Sequence, residues 1–329
     1  MRLFLRSVAV LLALVVGLWA IGPRVELDPE VPTPELPGGG PAALEEWVRS
    51  QEAGFDDLIP GAEKMIVWAD SAAPSRTPLS VLYLHGFSAT RQEVAPLPQL
   101  LADSLGANLF LTRLTGHGRD SDAMEEASLE AWLADTLEGM AIARRLGERV
   151  VVMGTSTGGS LALWLAARPE VRGQIDALVL ISPNLGLPDR RARMLLWPWG
   201  GMLARLAEGP ERSWEPRNDL QERYWTTRYA TGALLPMMAA VRTVEETAFQ
   251  DIEAPVWIAY DRQDRVVDPS VTEARFPEFA SPWKVLREVN VPDGEDTHVL
   301  AGDILNPELT DPLLQEILVF LAAAPVENP

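Results

Sequence analysis

The sequence predicts an α/β protein built on a doubly wound, mostly parallel sheet. Three observations carry that expectation. Short apolar runs rich in β-branched residues recur at Ser80–Leu84, Asn108–Thr112, Val150–Val152, Ala177–Ile181 and Pro255–Tyr260. Segments with helical spacing alternate with them. One of the runs, Val150-Val151-Val152-Met153, passes directly into Gly154-Thr155-Ser156-Thr157-Gly158 and then into the helical stretch Ser160–Ala167.

That last arrangement, strand then tight turn then helix, is the context in which a Gly-x-Ser-x-Gly serine becomes a nucleophile. The reason is steric. The serine must stand on a sharp turn, clear of the sheet, and the residues two before and two after it must be small because strand and helix pass close together. Gly154 and Gly158 meet that demand, and Gly159 adds room. The N-terminus of the following helix also directs backbone N–H groups and partial positive charge toward a reacting carbonyl. Ser156 is therefore the candidate nucleophile.

At 329 residues the chain makes one large domain or two small ones, with ample length for a core. With 28 Lys and Arg against 47 Asp and Glu, its net charge is −19. That argues against nucleic acid and anionic membrane surfaces as partners. There is no cysteine, which removes disulfides, thiolate nucleophiles and Cys metal sites. Only three histidines are present, His85, His117 and His298, and any histidine-dependent chemistry must draw on these. They are far apart, and no His/carboxylate cluster has ligand spacing, so neither a metal nor another cofactor is expected. No phosphate-cradling glycine loop is present.

From the N-terminus, Arg2 and Arg6 precede an apolar run, Val8 to Gly22. Residues 1–22 read as a signal anchor or signal peptide outside the fold, with the uncleaved anchor favoured because no small-x-small cleavage site stands out. The rest of the chain is then extracytoplasmic, on an inner or cytoplasmic membrane if anchored, and secreted or periplasmic if cleaved. Residues 23–41, with six prolines and Gly38-Gly39-Gly40, form a linker. Leu44–Glu52 predicts a short helix and Lys64–Ala69 a strand. Ser80–Leu84 is a buried strand leading into His85-Gly86-Phe87-Ser88. Glu93–Leu105 reads as a helix interrupted early by Pro96 and Pro98. After Asn108–Thr112 comes Gly116-His117-Gly118. Ser128 is a plausible N-cap for a helix over Leu129–Leu146 ending at Gly147.

The strand Ala177–Ile181 is followed by Pro255–Tyr260 only after more than seventy residues, whereas a plain helical crossover needs about 20–30. Residues 184–244 are accordingly an inserted cap, and 42–183 with 245–329 the core. The cap carries Trp197, Trp199, Trp214, Trp225, Leu195, Leu196, Met202, Met237 and Met238. Most should pack the cap onto the body, and some should line an apolar pocket. Arg190, Arg191 and Arg193 read as a solvated face. Trp283–Val289 is the last strand, and a helix over Pro312–Ala323 closes the chain.

Four motifs in order, His85-Gly86, Gly116-His117-Gly118, Gly154-Thr155-Ser156-Thr157-Gly158 and Asp264-Arg265-Val266-Val267, with His298 behind them, make the chain resemble the α/β-hydrolase fold family from about Leu79 onward. It looks most like the bacterial branch with carboxylesterases, monoacylglycerol lipases and lysophospholipases. The resemblance implies a serine hydrolase acting on a small ester or lipid-like substrate, with chain order Ser, acid, His. A serine hydroxyl needs an imidazole to take its proton and a carboxylate to orient that imidazole. Asp261, Asp264 and Asp268 all follow the late strand. Asp264 fits the family's Asp-x-Val-Val pattern, Asp268 precedes Pro269 as a helix N-cap would, and Asp261 stands where the family usually has glycine. His298 is the base by position, with Asp293, Glu295 and Asp296 able to raise its pKa if close in space. The family's oxyanion donors fall on the backbone N–H groups of Phe87 and Thr157, and His85 and His117 become bracing residues. Two rivals remain. A peptidase of the same fold would use a cap carboxylate, Glu208, Glu211, Glu215 or Glu222, to hold a substrate amine. A non-catalytic binding protein would have kept the fold alone. The oligomeric state is not legible.

Overall fold

The computed structural model describes residues 1–292 and 294–324. Two helices precede the sheet, α1 (Arg2–Ala20) and α2 (Pro41–Glu52). The chain then runs β1 (Met65–Val67), β2 (Thr77–Leu84), α3 (Leu97–Leu105), β3 (Asn108–Leu111), α4 (Leu129–Leu146), β4 (Gly147–Thr155), α5 (Thr157–Ala166) and β5 (Ile175–Ile181). Between β5 and the next strand of the sheet lie α6 (Gly200–Glu208), the paired β6 (Glu211–Ser213) and β7 (Arg228–Ala230), α7 (Asp219–Tyr224) and α8 (Leu234–Glu246). The sheet resumes with β8 (Val256–Tyr260), followed by α9 (Pro269–Arg275), β9 (Lys284–Glu288) and α10 (Pro307–Ala323).

The seven-stranded sheet has the order β1-β3-β2-β4-β5-β8-β9, parallel except for antiparallel β1 at its edge. Its apolar runs are explained by burial on both faces. Val150 and Val152 pack with Leu82, Leu178 and Ile258 against α4, α5 and α8. Val151 and Met153 pack with Val81, Val179 and Trp257 against α3 and α10. The period-two alternation of a strand thus feeds two cores at once.

Several element ends follow from local chemistry. Ser128 caps α4 by accepting from Ala131 N at 3.1 Å, and Asp268 caps α9 by accepting from Ser270 N at 3.0 Å. The helix expected from Glu93 begins only at Leu97. Residues 91–96 form turns instead, because Pro96 and Pro98 lack N–H groups and disfavour helical backbone before them. In the other direction, α10 begins at Pro307 and carries Pro312 inside it. The buried Thr310, Leu313, Leu314, Ile317 and Phe320 hold that helix despite the one backbone bond proline forfeits.

In α1, Phe4, Leu5, Val8 and Leu12 stand exposed. Among the described residues no helix is long and apolar enough to cross a membrane. In the segment between β5 and β8, called the cap for short, Arg191 pairs with Asp189 and Arg193 with Glu245. The helix α8 ends that segment and lays Met237, Met238, Val241 and Val244 on the core.

Candidate active site

The order of the sheet creates a crevice. From β2 the chain steps to β3 on one side, and from β4 it steps to β5 on the other. The carboxyl ends of β2 and β4 lie side by side, with Leu84 registered against Gly154. Loops leaving such a reversal point diverge and leave room for a ligand between them. Gly86-Phe87-Ser88 leaves one strand and Ser156 the other.

Ser156 has φ 51° and ψ −118°, a conformation L residues seldom adopt. It is held by Ser156 N donating to Ile181 O at 3.0 Å, and by Asn184 N and Gly159 N donating to Ser156 O at 3.0 and 2.9 Å. The flanking glycines are required sterically. A Cβ on Gly154 would stand 2.6 Å from the Gly158 carbonyl oxygen, and one on Gly158 would overlap the Leu84 carbonyl. Gly158→Ala should therefore cost about 3 kcal/mol or more, read as a fall in Tm, while Gly40→Ala, with open space around it, should leave Tm near its starting value. Equal melting of the two variants would contradict the close strand–helix approach.

The three acid candidates separate cleanly in space. Asp264 Oδ2 bonds His298 Nδ1 at 2.7 Å, while its Oδ1 accepts from Val266 N and Val267 N at 2.7 and 3.1 Å. Asp261 staples two loops, accepting from Gln263 N at 2.6 Å and Val291 N at 2.9 Å. Its carboxylate at the family's glycine position is thus a structural device. Asp268 is the helix cap already described.

Burial, the largest single effect, pulls the His298 pKa down. The carboxylates of Asp264, Asp296 and Glu93 outweigh it, and the imidazole ends above its ordinary 6.5. Asp296 also anchors the loop: its Oδ1 accepts from His298 N and Val299 N at 2.9 and 2.8 Å. Asp293 lies outside the described residues.

Among the described residues neither His85 nor His117 meets a carboxylate. His85 Nε2 accepts from Leu114 N and His117 Nε2 from Ser88 N, both at 3.0 Å. Burial drives both pKa values down, that of His117 to about 4, so each is a neutral acceptor bracing the loops after β2 and β3.

Ser156, His298, Phe87 and Thr157 line one cavity of about 380 Å³, and Asp264 sits behind His298. Among the described residues neither the Phe87 nor the Thr157 backbone N–H meets an acceptor. The cap contributes Trp214, Trp225, Tyr229 and Met237 to the wall, together with the polar Glu215, Arg217 and Gln221. Trp197, Trp199 and Met202 line a different cavity of about 540 Å³, between the cap and residues 23–26, which none of the five candidate residues reaches. Sequence reasoning missed Glu93 and Arg217. Glu93 is buried where a helix was expected, and Arg217, in a loop without periodicity, forms an ion pair with Asp296 at 3.4 Å.

The fold and the crevice define a hydrolase-type α/β scaffold, and comparison with known proteins agrees. Residues 81–302 match the model of the alpha/beta hydrolase family, and the chain belongs to that family. It is 28% identical over 207 residues to a thermostable monoacylglycerol lipase of Bacillus sp. (strain H-257), covering 63% of this chain and 79% of the lipase. Among solved structures, one described with LipS and LipT, two metagenome-derived lipolytic enzymes, superposes with a TM-score of 0.66 at 20% identity, over 81% of this chain and all of that one. The monoacylglycerol lipase of Paleococcus ferrophilus superposes with a TM-score of 0.56 at 20% identity, over 79% of this chain and 98% of its own. At that identity the likeness speaks for the fold.

Proposed function

We propose that this protein is a serine hydrolase that cleaves carboxylic esters through an acyl-enzyme. The observation that carries the reading is the 2.7 Å bond from His298 Nδ1 to Asp264 Oδ2, with His298 and Ser156 on the wall of the same cavity. Ser156 Oγ attacks the ester carbonyl as His298 Nε2 takes its proton, and the carbonyl electron pair moves onto oxygen. The N–H groups of Phe87 and Thr157 receive that oxyanion. Collapse expels the alcohol, protonated by His298. A water then loses a proton to His298 and attacks the acyl carbon, and Ser156 leaves with the proton.

The substrate is an ester with an apolar acyl or aromatic group. Phe87, Leu187, Trp214, Trp225 and Met237 offer it an apolar wall, and the similar Bacillus protein is named a monoacylglycerol lipase. The test is hydrolysis of p-nitrophenyl esters from acetate to palmitate and of monoacylglycerols. Activity with a chain-length optimum supports the reading, and inactivity on every ester refutes it. One observation favours a second reading: Glu215, a cap carboxylate, lines the cavity, where it would hold a substrate amine. Cleavage of aminoacyl anilides without ester cleavage would select that peptidase. The exposed apolar helix α1 is read as the segment that targets or anchors the chain at a membrane, and fractionation of cells expressing the full chain tests that.

The rate should follow deprotonation of His298. Because its pKa is raised, the acid limb of kcat/KM against pH should lie above 6.5. Asp296→Asn removes one raising carboxylate while keeping an amide oxygen for His298 N, so the limb should move to lower pH. A rate unchanged down to about pH 4, far below the range of an ordinary histidine, would remove His298 from the mechanism.

A further inference from the structure

A buried carboxyl group ties the two loops of the site together. Glu93 is almost fully buried and lines the same cavity as Ser156 and His298. Its Oε1 accepts twice, from Gly86 N at 2.7 Å and from the Tyr83 hydroxyl at 2.6 Å. The Tyr83 oxygen is in turn 3.1 Å from Thr155 Oγ1, on the residue before Ser156. Glu93 Oε2 and Ser156 Cβ crowd the same point above the Gly86 α-carbon, 3.0 and 3.1 Å from where a Cβ would be. One carboxyl oxygen therefore fixes the turn after β2, and the tyrosine beneath it extends the connection to the turn after β4.

We infer that Glu93 is a positioning residue: by holding Gly86 N–H it sets the turn that presents the Phe87 N–H beside Ser156. The inference rests on the acyl-transfer reading above. Gly86 cannot carry a side chain that would pack the turn in place, because Glu93 and Ser156 occupy that space. The turn has no strand partner of its own, since β2 ends at Leu84. His85 Nδ1 on Gly86 O and His117 Nε2 on Ser88 N hold other points of the turn, while Glu93 is the group that holds the Gly86 N–H, and a buried acceptor that takes two donors on one oxygen is a stiff one. An oxyanion donor misplaced by a fraction of an ångström loses most of its value in the transition state while affecting ground-state binding little.

The experiment measures kcat, KM and Tm for Glu93→Ala, Glu93→Gln and Tyr83→Phe, with labelling of wild-type Ser156 by a fluorophosphonate alongside. Glutamine keeps an oxygen for both donors and fills the same space. Glu93→Ala should lower kcat about 30-fold with KM within about threefold, Glu93→Gln should stay within about threefold of wild type, and Tyr83→Phe should lose about three- to tenfold in kcat alone. Three results overturn the inference: kcat unchanged in Glu93→Ala, a glutamine variant as impaired as the alanine one, or a loss carried by KM. If Glu93→Ala does not fold, Tyr83→Phe decides, and an unchanged kcat there is the adverse result. Wild-type protein that is not labelled at Ser156 refutes the acyl-transfer reading and this inference together. A labelled Ser156 with Glu93 variants of full activity refutes only the inference.

Discussion

Ser156→Ala should reduce kcat for ester hydrolysis by a factor of about 10⁴–10⁶ and leave KM and Tm close to those of the wild-type protein. The magnitude is that of removing the nucleophile from a working serine–histidine–acid arrangement, in which no other group forms the acyl-enzyme. Folding should survive because the elbow is held by main-chain bonds, from Ser156 N to Ile181 O and from Asn184 N to Ser156 O, and not by the hydroxyl. The positive φ of Ser156 is no easier for alanine than for serine. Kinetics on p-nitrophenyl esters and loss of fluorophosphonate labelling read the result. Equal activity of variant and wild type would show that another group is the nucleophile.

Asp264→Asn should lower kcat by about 10⁴. The argument runs through tautomers. In the wild-type protein Asp264 Oδ2 faces His298 Nδ1, and only an Nδ1 that carries the proton can make that bond to a carboxylate. Nε2 is then free to take the serine proton. Asparagine can keep its oxygen on Val266 N and Val267 N, the pair that orders the loop. Its amide nitrogen then meets His298 Nδ1 and donates to it. The imidazole must place its own proton on Nε2, and the base is blocked. Because the loop bonds survive, Tm should change little, and a kcat loss of less than tenfold would reduce Asp264 to a structural turn residue. His298 should also titrate lower once its charged neighbour is gone, so the acid limb of whatever activity remains should shift to lower pH.

These two expectations draw on different kinds of information. Ser156 was legible because its requirement is local. A sharp turn between strand and helix needs small residues at fixed positions, and Gly154 and Gly158 display that need in the sequence. The sheet was legible for a similar reason, since strands buried on both faces must be apolar throughout. Helix starts were less so. The stretch around Glu93 and the stretch around Pro312 both carried proline, yet one became turns and the other stayed helical. Both stretches are buried; the difference lies in the pair Pro96 and Pro98, which bars helical backbone just before α3, whereas the single Pro312 forfeits one bond inside α10.

The sequence by itself determined the architecture, the candidate nucleophile, and a short list of partners: three histidines, of which only His298 follows the late strand, and three aspartates before it. Tertiary structure alone showed what the oxygens of Asp264, Asp261 and Asp268 meet across space, and so gave a physical basis to the preference for Asp264 that the resemblance implied. It alone brought Glu93 under the Gly86 turn and Arg217 of the cap onto Asp296 beside His298. It also divided the cap tryptophans between two cavities. The physical reason is range. Steric demands of a turn and the period of a strand act within a few residues and leave their mark there. A carboxylate's partner is chosen by distance in the folded chain, here across 34 residues from Asp264 to His298, and only the packed sheet sets that distance.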